Sequence, residues 1–218
     1  MGIPTPDTGH LSRREFQTVY EPAEDTFLLL DALEADRTEL QVQRPTVCVE
    51  IGSGSGCVSA FLGEVLHPHP AFIISTDLNS AATQATQETT QKTPCCPTVA
   101  FEQCQTRFVQ SLGRLCGNID VLLFNPPYVV TPSEEIDSSR EASAWAGGQN
   151  GREVLDLLLP QIPQLLSPAT GRFYLVVIEQ NRPDEIIGIL GKSGLVGERV
   201  LARRAGRESL SILKFTWS

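Results

Sequence analysis

Near the middle of the chain an apolar run, Ile119-Asp120-Val121-Leu122-Leu123-Phe124, passes without a break into Asn125-Pro126-Pro127-Tyr128. The run has strand length with β-branched and aromatic members, the pattern of a parallel strand covered on both faces. The two prolines then end regular structure. Neither has an N–H, each has φ fixed, and each drives its predecessor out of the helical region. Asn125 is therefore expected to be extended at the carboxyl end of a buried strand, with no helix or ladder bond waiting for the Pro126 carbonyl. A chance Asn, Asp or Ser followed by Pro-Pro-aromatic is roughly a 1% event in a chain of this length at average proline usage. The pattern is specific, but short.

Two acceptors, the Asn125 side-chain oxygen and the Pro126 backbone oxygen, can then face one NH2 group, with Pro127 and Tyr128 as its walls. That arrangement suits methylation of a planar nitrogen, whose delocalised lone pair makes it a poor nucleophile. Accepting hydrogen bonds from both of its protons orients it and favours a pyramidal, more reactive nitrogen. The remaining work is alignment with an activated methyl group, and positioning alone contributes roughly 7–11 kcal/mol in favourable cases.

Such chemistry needs a donor site, and the first half of the chain offers one. Thr46 to Ile51 reads as a strand, Gly52-Ser53-Gly54-Ser55-Gly56 as a turn, and Cys57 to Leu66 as a helix. Strand, glycine turn and helix make a nucleotide-binding opening, where glycine lets a ligand approach the backbone. It is not the dinucleotide fingerprint, because Cys57 stands where the last glycine is required, and no Gly-Lys-Ser/Thr follows to make a P-loop. Glu50 ahead of the turn would repel a pyrophosphate but welcome the ammonium and sulfonium of S-adenosylmethionine. Ala71 to Thr76 is a second strand ending in Asp77, an acid placed to grip ribose hydroxyls or to cap the helix that starts near Ala81-Ala82.

Composition narrows the class. The 218 residues are 41% hydrophobic with a mean hydropathy of -0.07, as expected for one globular domain with a sizeable core. No apolar run approaches the ~20 residues of a membrane span, and the start of the chain lacks the apolar stretch of a secretory signal. The expected location is the cytosol, or the nucleus by diffusion or partnership. A net charge of -9 opposes unaided binding to nucleic acid, which needs clustered Lys and Arg. Six cysteines contain no C-x-x-C pair, so reduced thiols are expected, the vicinal Cys95-Cys96 included. His67 and His69 read as a solvated loop, and no metal site is expected.

Along the chain, residues 1–19 are expected to be a flexible N-terminal segment and residues 20–218 a single domain. Tyr20-Glu21-Pro22-Ala23-Glu24-Asp25-Thr26 opens a helix, with Pro22 in its first turn and the acids complementing the dipole; Thr26 is placed to face a ligand. Residues 129–150 form a long connection, read as an acceptor-binding lid. A helix over Gly151 to Leu159, a strand over Phe173 to Ile178, a helix over Pro183 to Leu190 and a closing hairpin of Arg199–Ala202 with Ser209–Thr216 complete the pattern.

Glu50-Ile51-Gly52-Ser53-Gly54-Ser55-Gly56, Asp77 and Asn125-Pro126-Pro127-Tyr128 resemble the HemK-type class I methyltransferases. Tyr20 to Leu30 and Ala144 to Glu153 resemble, more narrowly, the eukaryotic release-factor glutamine methyltransferase catalytic subunits. The resemblance runs from Tyr20 to Trp217. It implies an α/β, Rossmann-like sheet of seven strands, mostly parallel with a C-terminal antiparallel hairpin and helices on both faces. It also implies S-adenosylmethionine as donor, S-adenosylhomocysteine as product and the glutamine of a Gly-Gly-Gln motif in a translation release factor as acceptor. An obligate small zinc-binding activator subunit is the implied partner. Protein (histone) lysine and DNA adenine remain as alternative acceptors. The implied donor-site residues are Thr26, Glu50, Gly52, Gly54, Asp77 and Asn125; the implied catalytic and acceptor residues are Asn125, Pro126, Pro127 and Tyr128. One departure stands out: where the family usually has an Asp-Leu pair after the third strand, this chain has Gln105-Thr106-Arg107-Phe108. Arg107 cannot accept a hydrogen bond from the adenine amine, so Thr106 or a backbone carbonyl is expected in that role.

Overall fold

The computed structural model describes residues 2–93, 98–136, 145–206 and 208–218; the Cys95-Cys96 pair and Ala144 lie outside them. Seven strands form one sheet in the order β3-β2-β1-β4-β5-β7-β6. The strands are β1 (Val47–Ile51), β2 (Ala71–Asp77), β3 (Val99–Gln105), β4 (Val121–Phe124), β5 (Arg172–Ile178), β6 (Leu195–Ala205) and β7 (Glu208–Trp217). β1 to β5 pair in parallel, while β7 runs antiparallel to both β5 and β6. The helices are α1 (Glu24–Ala35), α2 (Arg37–Gln43), α3 (Cys57–Leu66), α4 (Ser80–Lys92), α5 (Glu153–Leu158), α6 (Ile162–Leu165) and α7 (Pro183–Gly191). None is long and apolar enough to cross a membrane among the described residues.

The two-residue period of the strands divides the core. Val121 and Leu123 of β4 join Leu28, Leu33, Phe61 and Leu62 from α1 and α3 on one face. Leu122 and Phe124 face the other way, onto Leu158, Ile162 and Ile186 from α5, α6 and α7. That is why β4 reads as an unbroken apolar run: both of its faces are covered. Each fully buried leucine here contributes on the order of 2 kcal/mol through the area it removes from water.

Far from the carboxyl ends of the parallel strands, a charged network ties α1 and α2 to the sheet. Lys214 pairs with Asp36 at 2.8 Å and Glu39 at 3.0 Å, Arg172 reaches Glu39 at 2.8 Å, and the Tyr174 hydroxyl donates to Asp36 at 2.6 Å. The Arg172 and Lys214 bonds hold the Glu39 carboxyl down at about 2.

Several boundaries differ from expectation. α1 starts at Glu24, so Pro22 precedes the helix rather than sitting in its first turn. α5 starts at Glu153 because Asn150 and Gly151 both adopt positive φ, 58° and 65°, which an α-helix cannot hold. The hairpin strand β6 spans eleven residues, well beyond Arg199–Ala202; an edge strand alternating half-buried with charged residues offers no apolar run to read. Residues 2–19 make defined contacts: Ile3 N–H donates to Glu34 at 2.8 Å, and Leu11, Phe16 and Val19 pack on Ala82 and Ala85 of α4.

Candidate active site

The parallel strand order leaves β1 and β4 adjacent while their connections depart to opposite sides. A crevice opens at the carboxyl ends of strands at such a point, the general ligand site of open α/β sheets. Here it is a cavity of about 310 Å³ lined by the ends of β1, β2 and β4 and by Thr18 to Tyr20 ahead of α1. That volume suits a small-molecule ligand. Thr26, Glu50, Gly52, Gly54, Asp77, Thr106, Asn125, Pro126, Pro127 and Tyr128 all line this one cavity.

The strand period sends the Glu50 side chain toward α3, where the Ser59 hydroxyl donates to its carboxylate and Ser59 Oγ lies 2.6 Å from Ser75 Oγ. Burial pushes the Glu50 carboxyl up to about 8, with the Ser59 bond pulling the other way. The turn after β1 then climbs past β2, with Gly52 N–H donating to the Thr76 carbonyl at 2.8 Å. Gly54 has φ of +52°, and its N–H donates to Asp77 Oδ2 at 3.1 Å. The other Asp77 oxygen accepts from Asn79 N–H at 2.8 Å. Burial raises the Asp77 carboxyl above its ordinary value, against the downward pull of these backbone donors. Each oxygen keeps a lone pair, so the carboxylate can still accept from a diol. It does not cap α4: that task falls to Asn79, whose Oδ1 accepts from Ala81 N–H at 3.0 Å.

Thr26 is buried, and its hydroxyl accepts from the Ala23 N–H at 3.3 Å. It thus closes the first turn of α1 as well as lining the cavity. Thr106 accepts from the Ser111 hydroxyl at 2.9 Å, and its N–H donates to the Asp77 carbonyl at 3.0 Å. Beside it Phe108 meets Phe124 edge-on with centroids 6.2 Å apart, and the Arg107 guanidinium lies 5.5 Å from the Phe108 ring centre.

Asn125 stands where β4 stops. Its Nδ2 donates to Asp25 Oδ2 at 2.9 Å, and its Oδ1 is buried with no hydrogen-bond partner. The Tyr20 and Tyr128 hydroxyls donate to the same Asp25 oxygen, at 2.9 and 3.0 Å. Burial first, and the Asp25 charge second, push both phenols well above the ordinary tyrosine range, so they stay protonated. Beyond the tip, buried Asn181 donates its amide toward the carbonyls of Tyr128, Asn150 and Gly151 at 3.0, 2.9 and 3.1 Å. Gly151 must be glycine, since a Cβ there would lie 1.9 Å from the Tyr128 oxygen. The described parts of the 129–150 connection fold back on the tip: Val129 and Ala146 form a bridge, and Ile136 and Trp145 reach the cavity wall.

Sequence reading missed Asp25, Tyr20 and Asn181. Asp25 passed for a helix-dipole acid, and only its Tyr20 neighbour, five residues back, hinted at a second use. No local signal marks Asn181.

No family model matches the chain. Among curated proteins, human methyltransferase HEMK2 is 51% identical over 215 residues, covering 98% of this chain and 97% of HEMK2. The chain belongs to the HEMK2/Mtq2 family of methyltransferases. The Schizosaccharomyces pombe eRF1 methyltransferase catalytic subunit mtq2 is 42% identical, covering 97% of this chain and 95% of mtq2. Among solved structures, the E. cuniculi Mtq2 of an Mtq2–Trm112 complex, responsible for methylation of the eRF1 translation termination factor, superposes with a TM-score of 0.65. It is 26% identical, with 92% of this chain and 99% of that chain covered. As a member of the HEMK2/Mtq2 family this chain is a methyltransferase, its mixed sheet is the class I fold, and S-adenosylmethionine use goes with that family.

Proposed function

We propose that the protein transfers a methyl group from S-adenosylmethionine to the side-chain amide nitrogen of glutamine in the Gly-Gly-Gln motif of a translation release factor. The single observation that carries this reading is the buried, unpartnered Asn125 Oδ1 at the end of β4. An oxygen taken out of water without a partner costs on the order of 1–3 kcal/mol. That cost is removed when an acceptor NH2 group donates to it. Fission yeast mtq2 and the E. cuniculi complex, by what they act on, support the same acceptor.

The residues of the cavity fit the donor. Glu50 supplies a carboxylate for an ammonium, the Gly52 and Gly54 backbone permits close approach, and Asp77 has acceptor capacity for a ribose diol. Thr26 and Thr106 line the same space. When bound, the donor supplies an electrophilic methyl on a sulfonium. The chain's own part is to hold the acceptor nitrogen. Asn125 Oδ1 and the Pro126 carbonyl accept its two protons, and the Tyr128 ring keeps the amide in plane. Tyr20 and Trp145 line the same cavity and add apolar wall around the acceptor. No charged base is needed: the methylated amide nitrogen would be strongly acidic, and Asn125 Oδ1, which holds one of its protons, would pass that proton to solvent as the product leaves.

We assign the small zinc-binding activator to the β3 edge of the sheet. Of the two edges, β6 carries Glu198, Arg199, Arg203 and Arg204 and a register shift between Arg199 and Leu201, features that discourage strand addition. Beside β3, Phe72 is 39% exposed and pairs in register with exposed Ala100. A partner that adds a strand there covers an apolar face; the Mtq2–Trm112 assembly supports a two-chain enzyme. Residues 20–218 act as one domain with residues 2–19 strapped across it, and the cytosol, where release factors work, is the assigned location.

The test is methyl transfer by the co-purified complex, with the product mapped by mass spectrometry. A methyl on the Gly-Gly-Gln glutamine supports the reading; a methyl on lysine or on duplex DNA adenine refutes it.

A further inference from the structure

We infer that Asp25 is a positioning residue that fixes which end of the Asn125 carboxamide faces the acceptor, an inference that rests on the function proposed above. A primary carboxamide has two ends of nearly equal size and opposite hydrogen-bonding character. With its NH2 toward the acceptor, Asn125 would set donor against donor, and the acceptor nitrogen would be expelled rather than held. Something must therefore choose the orientation. An ionised carboxylate is an acceptor only, and Asp25 Oδ2 sits 2.9 Å from Asn125 Nδ2. The amide is thereby forced to point its NH2 at Asp25 and its oxygen away, which is the oxygen left buried and without a partner.

The rest of the cluster makes that choice rigid. Asp25 is 2% exposed. Its Oδ1 accepts from Thr26 N–H at 2.7 Å and from the Thr26 hydroxyl at 3.4 Å, which fills that oxygen and anchors the carboxylate to the start of α1. Its Oδ2 accepts from the hydroxyls of Tyr20 and Tyr128 as well as from Asn125. With both oxygens occupied, Asp25 has no free lone pair aimed at the acceptor, so it acts through Asn125 and not as a base. Tyr20 precedes α1 and Tyr128 closes the proline tip. The carboxylate thus joins Tyr20 ahead of α1, α1 itself and the tip at one atom.

The test compares turnover of a Gly-Gly-Gln protein by the co-purified complex for wild type, Asp25→Asn, Asp25→Ala, Asn125→Ala and the Asp25→Ala/Asn125→Ala double variant. Donor affinity is measured alongside by calorimetry. An asparagine at position 25 keeps the volume but must turn an NH2 either toward Thr26 N–H or toward the three donors. Asp25→Asn is therefore expected to lose roughly ten- to a hundredfold in kcat, as for other orienting partners, with donor Kd within about threefold of wild type. The double variant is expected to match Asn125→Ala within about twofold, because an orienting group has nothing left to orient. Wild-type kcat in Asp25→Asn, multiplying losses in the double variant, or failure of Asp25→Asn to fold and bind donor would each overturn the assignment. A wild-type complex that transfers no methyl to glutamine would instead sink the proposed function and is separately visible.

Discussion

Ser59 donates its hydroxyl to the Glu50 carboxylate across the β1–α3 junction, leaving an acid at the cavity wall that is 4% exposed. Burial pushes its carboxyl up to about 8 from 4.5. A raised carboxyl holds a proton in the folded state that the unfolded chain has already lost. Between pH 4.5 and 8 this group therefore subtracts from stability as pH rises. An ammonium beside it favours the ionised form, so donor binding at pH 6.5 is expected to release about one proton. Titration calorimetry in two buffers of different ionisation enthalpy measures this, with Glu50→Gln expected to release none. Identical heats for wild type in both buffers would contradict it.

Gly56 starts α3 at φ of +80°, and a Cβ there would stand 2.6 Å from Thr86 Cα. This explains why the third glycine falls earlier than in the dinucleotide fingerprint: it lets α3 and α4 touch and serves no phosphate. Gly56→Ala combines a strained φ with a backbone clash, an expected cost of about 2 kcal/mol or more. Thermal unfolding should shift down by roughly 4–8 °C. An unchanged transition would mean that the helices part freely.

Arg107 stands near the usual position of the family's acid and lies over the Phe108 ring at 5.5 Å. Arg107→Asp restores an acceptor for the adenine amine and is expected to tighten donor binding by about tenfold, the value of one added hydrogen bond. Calorimetry on the purified complex decides this; an unchanged Kd removes the adenine role from this position.

Phe72 lies on β2 beside β3, an edge strand among the described residues, and is 39% exposed. Phe72→Asp is expected to abolish co-purification with the activator while leaving the isolated chain's fold intact, read by pull-down and circular dichroism. Retention of the partner would move the interface elsewhere.

What could be read from the sequence depended on distance along the chain. β4 and its tip were legible because hydrophobic period and proline geometry act within a few residues, and the turn from Gly52 to Gly56 for the same reason. β6 came out short because an edge strand buries only half of itself. Helix α4 gave only its start near Ala81, since its buried face is built from Ala82, Ala85, Thr86, Thr89 and Thr90 rather than large apolar residues. Asp25 was out of reach because its meaning lies in a bond to Asn125, one hundred positions away. Asn181 likewise acts on carbonyls up to 53 positions distant.

The claim most exposed to experiment is that Asn125 Oδ1 holds the acceptor nitrogen. Single-turnover methyl transfer by Asn125→Ala, with donor affinity measured on the same preparation, addresses it directly. The predicted result is donor binding within a few-fold of wild type and a rate lower by roughly a hundredfold or more, comparable to losing one oxyanion-type contact. A near-normal rate would contradict the account.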